Sequence, residues 1–196
     1  MGWPALVLLL ALTGCSHEVV WLGEASPEVS SVKPKVPLTV AVVLGAFDET
    51  RLQGPGVLER FARALRETEI FEGVMFPVPE GAEPSWELQL AGSDSAFEPD
   101  SNFWKSAVAS ALFPLAFAVR LENDYTLELE ALLVHRREVR ATYTGSARIR
   151  HRYQPYADRV AMNAEGFELA VEGATRAILA AFARDAERLR LEAQRP

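Results

Sequence analysis

The chain has 196 residues, of which 49% are hydrophobic and 24% charged, so it holds enough apolar material for the core of one globular domain. Its 27 acidic and 20 basic side chains give a net charge of −7, which disfavours nucleic-acid binding because that needs a surplus of Lys and Arg. Three His and one Cys are too few for a zinc ribbon, an iron–sulfur site or a disulfide framework. We therefore predict no nucleic-acid partner, no metal and no other cofactor.

The first segment of the chain has the pattern of an export signal. Residues 5–12 read ALVLLLAL, an uncharged run far shorter than the roughly 20 residues that span a bilayer and typical of a signal peptide. It leads into Leu12-Thr13-Gly14-Cys15, which resembles the lipobox of bacterial lipoproteins, where small residues precede an acylated Cys. The resemblance implies that residues 1–14 are a signal peptide and that Cys15 becomes the lipidated first residue. A hydrophobic strand with a buried Cys is the alternative.

The same resemblance implies a location. Acyl chains on Cys15 would anchor the mature chain durably to a membrane. In many such lipoproteins a residue other than Asp after the Cys is associated with sorting to the outer membrane, and here Ser16 follows. We therefore expect a lipid anchor in the outer membrane and a domain that faces the periplasm.

The mature chain is predicted to have three parts. Residues 15–37 are rich in Pro and Ser, lack a helical or strand period and indicate a lipidated Cys with a flexible tether. Residues 38–192 form the single domain, and residues 193–196 a frayed terminus. Within the tether, the apolar stretch around Trp21 could touch lipid headgroups or dock onto the domain, and docking is the simpler interpretation.

The first half of the domain alternates strands with a helix. Residues 38–44 read LTVAVVL, which suits a strand buried on both faces. Apolar residues at helical spacing from Val57 to Leu65 predict an amphipathic helix. Short strands are expected at 74–76 and at 86–90, where apolar and polar residues alternate.

The second half predicts a three-stranded meander and a covering helix. Odd-numbered residues are apolar over 115–121 and 125–133, which requires an odd-length connection such as a turn at 122–124. A second turn at 136–138 would pair Leu133 with Ala141 and keep the third strand on the same parity. A helix from about 164 to 191 carries an apolar stripe that would cover the meander, formed by Phe167, Val171, Ala174, Ile178, Phe182 and Leu189.

These elements together predict an α+β fold, with a mixed or antiparallel sheet of about five to six strands, including the meander, covered by two main helices. The element order from Leu38 to Leu90 resembles the periplasmic modules of the TolB amino-terminal domain, the curli-secretion lipoprotein and the lipoprotein activators of penicillin-binding proteins. This resemblance covers about a third of the chain and brings no catalytic residue with it.

Candidate chemistry is sparse. The chain lacks the Gly-x-Ser-x-Gly, His-Glu-x-x-His and phosphate-loop motifs. The spacing of its three histidines in the sequence indicates neither a metal site nor a catalytic triad: His17, His135 and His151. Glu128 and Glu130 share one strand face about 7 Å apart, a separation that suits an acid/base pair, although a solvated outer face is simpler.

Two features suit contact with other molecules. Three arginines on one face of a strand could meet lipid phosphate or an acidic partner, and a charged edge strand explains them equally well: Arg148, Arg150 and Arg152. Residues 106–119 are uncharged, and a helix opening near Ser101 would align Phe103, Trp104, Val108 and Leu112 on one face. That face is either packed against the sheet or exposed for contact.

We therefore predict a protein that is not an enzyme. It would be a membrane-anchored periplasmic lipoprotein that acts as an accessory or assembly factor of the cell envelope through contact with a partner protein. The alternative is a lipid or small-molecule binding or transport auxiliary that uses residues 103–121. The residues expected to contact the partner or the membrane are Trp21, Phe103, Trp104, Val108 and Leu112.

Overall fold

The computed structural model describes residues 17–23, 29, 32–47, 54–111, 118–155 and 157–194. The predicted signal peptide, the lipidation site Cys15 and the contact candidate Leu112 lie outside the described residues.

The described part of the chain forms six strands and four helices. In chain order they are β1 (His17–Trp21), β2 (Val36–Phe47), α1 (Gly54–Glu67), β3 (Phe71–Met75), β4 (Trp86–Phe97), α2 (Ser101–Ala111), β5 (Leu121–His135), β6 (Glu138–Tyr153), α3 (Arg159–Arg184) and α4 (Ala186–Ala193). The strands lie in one sheet in the order β1-β6-β5-β4-β2-β3. Strand β2 pairs in parallel with β3 and β4, whereas β1 is antiparallel to β6. The predicted α+β fold with a mixed sheet is confirmed.

The chain is divided into two compact units. The first unit comprises the described parts of Met1–Leu22, Ser95–Thr126 and Arg148–Leu169, and the second those of Gly23–Asp94, Leu127–Ala147 and Ala170–Pro196. The single domain over residues 38–192 stays a prediction.

In the first unit, β1 pairs with the carboxy-terminal part of β6. His17 lies opposite Tyr153 and Trp21 opposite Ile149, and the Leu22 N–H donates to the Arg148 carbonyl over 2.9 Å. The predicted tether is therefore wrong for residues 17–21, because their backbone groups pair with a strand that would otherwise present an open edge. It is also wrong for residues 36–37, which begin β2. Docking of the stretch around Trp21 onto the folded chain is confirmed.

The core of the first unit lies beside the end of β6. Leu121, Tyr153 and Met162 are almost completely buried there, together with Ala157, and Val119 packs against them. Helix α3 approaches β6 closely at Gly166, where any side chain would overlap with the ring of His151.

The predicted meander is wrong at its first turn. Residues 122–124 lie inside β5, residues 118–120 are not a strand, and the rest of the predicted first strand falls outside the described residues. Polar residues 122–124 remain extended because side chains of α2 and β6 form hydrogen bonds with them. The second turn has two residues, one fewer than predicted: Arg136 and Arg137, with φ of 51° and 71°. Positive φ at both positions is typical of tight hairpins.

The second unit packs helices against one face of its strands. The odd-numbered residues over 127–135 of β5 and 141–147 of β6 are buried there as the alternation predicts, among them Leu127, Leu129 and Tyr143. Helices α1 and α4 pack on β2, whose residues Val40 to Val42 are buried. Burial on both faces is limited to these three positions, because Thr39 and Leu44 are exposed, so the prediction for residues 38–44 is wrong at both ends.

The long carboxy-terminal helix is interrupted once. Its predicted stripe is buried at every position except Phe167, which is half-buried. The helix divides at Asp185, between α3 and α4, where the Tyr143 hydroxyl donates to the Asp185 carboxylate over 2.7 Å. Burial and this carboxylate raise the pKa of Tyr143, so the hydroxyl stays protonated as the donor.

A matched pair of glycine variants tests the packing of the second unit. A Cβ at Gly145 would overlap with the carbonyl oxygen of Ala174, whereas a Cβ at Gly56 in α1 meets nothing within 4 Å. We expect Gly145→Ala to lower the free energy of unfolding by about 1–3 kcal/mol. Gly56→Ala should leave it unchanged or raise it by up to about 1 kcal/mol. Urea titration of both variants measures this, and equal effects would contradict the packing of α3 on β6.

Candidate contact surfaces

A polar residue fixes the orientation of α2 in the first unit. Asn102 is 1% exposed, and its side-chain carbonyl accepts the Glu122 N–H over 3.1 Å while its Nδ2 donates to the Glu122 carbonyl over 2.6 Å. The amide thus bonds to β5 as a neighbouring strand would, which satisfies both backbone groups of Glu122. Helix α2 is therefore attached to β5 through its polar side.

This attachment turns the apolar side of α2 to solvent. Residues 102 and 109 are two turns apart on the buried side, where Ala109 is 2% exposed. Phe103, Trp104 and Val108 are 70%, 70% and 48% exposed, and the rings of Phe103 and Trp104 contact edge to face at 5.4 Å. We call these three residues the apolar helix face. Apolar residues clustered on an exposed helix are typical of contact surfaces.

The structure brings together three of the five residues expected to make contacts. Phe103, Trp104 and Val108 share the apolar helix face, so the alternative in which they pack against the sheet is wrong. Trp21 lies apart, half-buried in β1, and its indole N–H has no hydrogen-bond partner within the described residues. That these residues contact a partner or a membrane stays a prediction.

The three arginines of β6 are held by acidic residues of β5. Asp124 accepts from Arg150 in a bidentate pair at 2.7 and 3.0 Å and from Arg148 at 2.7 Å, and Glu122 accepts from Arg152 at 3.2 Å. The interpretation of β6 as a charged edge strand is wrong, because β6 lies between β1 and β5. Asp124 was not predicted as a site residue, because residues 122–124 have the composition of a turn. The available signal was the even spacing that Asp124 shares with Glu122 and the three arginines.

Asp124 is the central acceptor of this network. Its side chain is only 7% exposed, and the hydrogen bond from Arg150 holds the pKa of its carboxyl below the usual value, with Arg148 acting in the same direction and burial opposing it. The carboxylate therefore stabilises the fold above the ordinary pKa of an Asp, and this stabilisation is lost as the pH falls through the lower pKa of the folded state.

Neutralising Asp124 tests this network. Asp124→Asn keeps the shape but removes the charge that accepts from two arginines, and we expect a loss of about 2 kcal/mol in the free energy of unfolding. Glu130→Gln, an exposed carboxylate of the same strand with no ion pair in the described part of the chain, should cost less than about 0.5 kcal/mol. Similar losses in chemical denaturation would contradict a structural role for Asp124.

Two of the three histidines lie in the first unit, close enough for the charge of one to act on the other. His17 bonds to Glu165 over 2.7 Å, and His151 lies buried beside Gly166 with its Nδ1 unpaired within the described residues. The pKa of His151 is lowered, first by burial and then by the charge of His17, while Glu165 partly opposes this. His135 stands apart in the second unit, stacked on Trp86 at 4.3 Å.

Burial of His151 predicts a pH dependence of stability. Its folded-state pKa lies below the ordinary value of about 6.5, so the unfolded state takes up the proton first as the pH falls. We expect the free energy of unfolding to decrease as the pH drops below about 6.5. His151→Leu should flatten this decrease when unfolding is followed between pH 7 and pH 5. An unchanged slope would contradict the burial of a neutral ring.

The second unit contains a cavity of about 650 Å³ on the side of its strands that faces away from α3. Thr144 and Ser146 are exposed there, while α3 lies on the opposite side of β6 at Gly145. Small side chains line most of the cavity, and Glu128 and Glu130 supply its charge; the lining is Ala46, Ala91, Gly92, Ser93, Glu128, Leu129, Glu130, Thr144, Gly145 and Ser146. We call this surface the concave face.

No helix in the described ranges is both long and apolar enough to cross a membrane. No group of three or more His, Cys, Asp or Glu side chains in the same ranges is placed to hold a metal ion.

Comparison with known proteins identifies no family. No family model matches the chain, and no curated protein matches its sequence. Among solved structures, the chain is similar to a DUF330 protein from Xanthomonas campestris, with a TM-score of 0.46 and 15% identity over 90% of this chain and 98% of that one. It is also similar to a minor lipoprotein from Acinetobacter baumannii, with a TM-score of 0.39 and 11% identity over 83% of this chain and all of the other. Likeness at these identities assigns no function.

Proposed function

We propose that this chain is a lipid-anchored accessory or assembly protein of the bacterial cell envelope, attached through Cys15 to the outer membrane, and that it binds a partner protein rather than catalysing a reaction. The concave face carries the proposal. Among the described residues of the second unit it is a sheet surface with exposed side chains on β5 and β6, and its small side chains allow the backbone of a partner to come close.

The charge of the concave face indicates the chemistry of the partner. Glu128 and Glu130 lie on the same side of β5, and neither forms an ion pair with the described residues. Two unpaired carboxylates in a concave surface attract basic side chains and disfavour acidic ones. The occupant we propose is therefore a protein segment that carries Lys or Arg.

The lining of the concave face supports a protein occupant over a small molecule. Its volume falls in the usual range for ligand sites, but such sites are lined mainly by large apolar and aromatic side chains. Here the lining is mostly Ala, Gly, Ser and Thr, and its one large apolar residue, Leu129, is 1% exposed. The alternative of a lipid or small-molecule auxiliary that uses residues 103–121 stays a prediction.

Site-specific crosslinking in cells tests the partner. A photo-reactive residue at Thr144 or Ser146 should capture one envelope protein, and the same residue at Val139, which is exposed on β6 but does not line the concave face, should not. The double variant Glu128→Lys, Glu130→Lys should abolish this capture through charge repulsion, while Glu83→Lys, an exposed acidic residue of the same unit, should preserve it. Capture that survives the double variant, or capture of lipid, would contradict the proposal.

A further inference from the structure

The start of β1 is fixed close to the proposed lipid. One residue, Ser16, separates Cys15 from His17, and two residues of extended chain span at most about 7 Å. His17 is held by strand pairing opposite Tyr153 and by its hydrogen bond to Glu165. An acyl group on Cys15 therefore has no long tether, and the bilayer surface must lie near the start of β1.

The apolar helix face belongs to the same end of the sheet in the first unit. At this end, His17 on β1 lies opposite Tyr153 on β6. The neighbouring residue of β6, Arg152, donates to Glu122 on β5. Adjacent strands are about 4.8 Å apart, so β1 and β5 are separated by about 10 Å here. Asn102 then ties the first turn of α2 to Glu122.

Two more exposed apolar residues of the first unit lie near this end. Phe97, 66% exposed, ends β4 four residues before α2 begins. Val160, 80% exposed, follows Arg159, whose guanidinium lies 5.4 Å from the centre of the Tyr153 ring. The anchor-proximal end of the first unit thus combines the start of β1 with exposed aromatic and aliphatic side chains.

We propose that this end rests on the bilayer, with Phe103, Trp104 and Val108 inserted among the lipid headgroups. Trp is enriched at membrane interfaces because its ring is apolar and its N–H is polar, and an apolar helix side facing lipid is the arrangement of interfacial helices. The short link from Cys15 holds these side chains at the surface, which favours lipid over any freely diffusing occupant. The inference rests on the proposed lipid anchor and adds a second, non-covalent contact with the membrane.

Fluorescence quenching by brominated lipid tests the inference on the full lipidated chain. The mature protein, reconstituted in phosphatidylethanolamine and phosphatidylglycerol vesicles with brominated acyl chains, is compared with Trp104→Phe and Trp21→Phe. We expect quenching in the wild-type protein, loss of most of it in Trp104→Phe and its retention in Trp21→Phe. Trp21 is the matched control because it lies at the other end of β1, about 13 Å from His17. The third tryptophan, Trp86, is 8% exposed.

Vesicle flotation in the same samples separates the inference from the anchor. Protein that floats with the vesicles while Trp104 is not quenched would overturn the membrane contact of the apolar helix face and leave the anchor standing. Protein that does not float, or a Cys15→Ala variant that stays membrane-bound in cells, would overturn the anchor and with it this inference. A photo-reactive residue at position 104 that captures a protein instead of lipid in cells would also overturn it.

Discussion

The pairing of β1 with β6 fixes the start of the folded chain close to Cys15. Five residues that look like part of a linker become the outer strand of the sheet, and this fixes the chain two residues after Cys15. If Cys15 carries acyl chains, a long tether would let the domain move tens of ångströms away from the bilayer, whereas a paired strand holds it at the surface. Under the proposed anchor, pairing of β1 therefore determines which side chains lie near the bilayer.

A second polar interaction determines what the first unit presents there. Helices usually bury their apolar side, and α2 does the opposite because Asn102 satisfies the backbone of Glu122. Burying Phe103 and Trp104 instead would leave an N–H and a carbonyl of β5 unpaired, at a cost of about 1–3 kcal/mol for each buried group. The hydrogen bonds that satisfy the backbone of Glu122 therefore also keep the rings of Phe103 and Trp104 exposed to solvent.

Regular patterns in the sequence predicted much of this structure, and long-range polar contacts explain where prediction was wrong. Alternation gave the buried side of β5 and β6, and helical spacing gave α1, α2 and the stripe of α3, because these signals are local. Residues 122–124 look like a turn by composition, yet they stay extended through partners 20 or more residues away in the chain. Turn preferences are weak enough for such tertiary contacts to override them.

For the contact surfaces too, local patterns in the sequence were predictive and long-range contacts were not. Helical spacing placed Phe103, Trp104 and Val108 on one face, but whether that face is buried depends on the partner of Asn102, which no periodicity reveals. The concave face was missed because its lining comes from β2, β4, β5 and β6, and small side chains such as Gly92 and Ser146 carry no motif. Only Glu128 and Glu130 in that lining were noticed, as a separate acid/base pair.

Hydrogen–deuterium exchange of the amides of residues 18–22 in the lipid-anchored full-length chain tests the pairing of β1 with β6. We expect the amide of Leu22, which donates to the Arg148 carbonyl, and the paired amides of β1 to exchange far more slowly than those of an unstructured peptide. Exchange of all these amides at the rate of a free linker would mean that β1 is not paired. Residues 17–21 would then be part of a flexible tether. The start of β1 would no longer place the bilayer close to the apolar helix face.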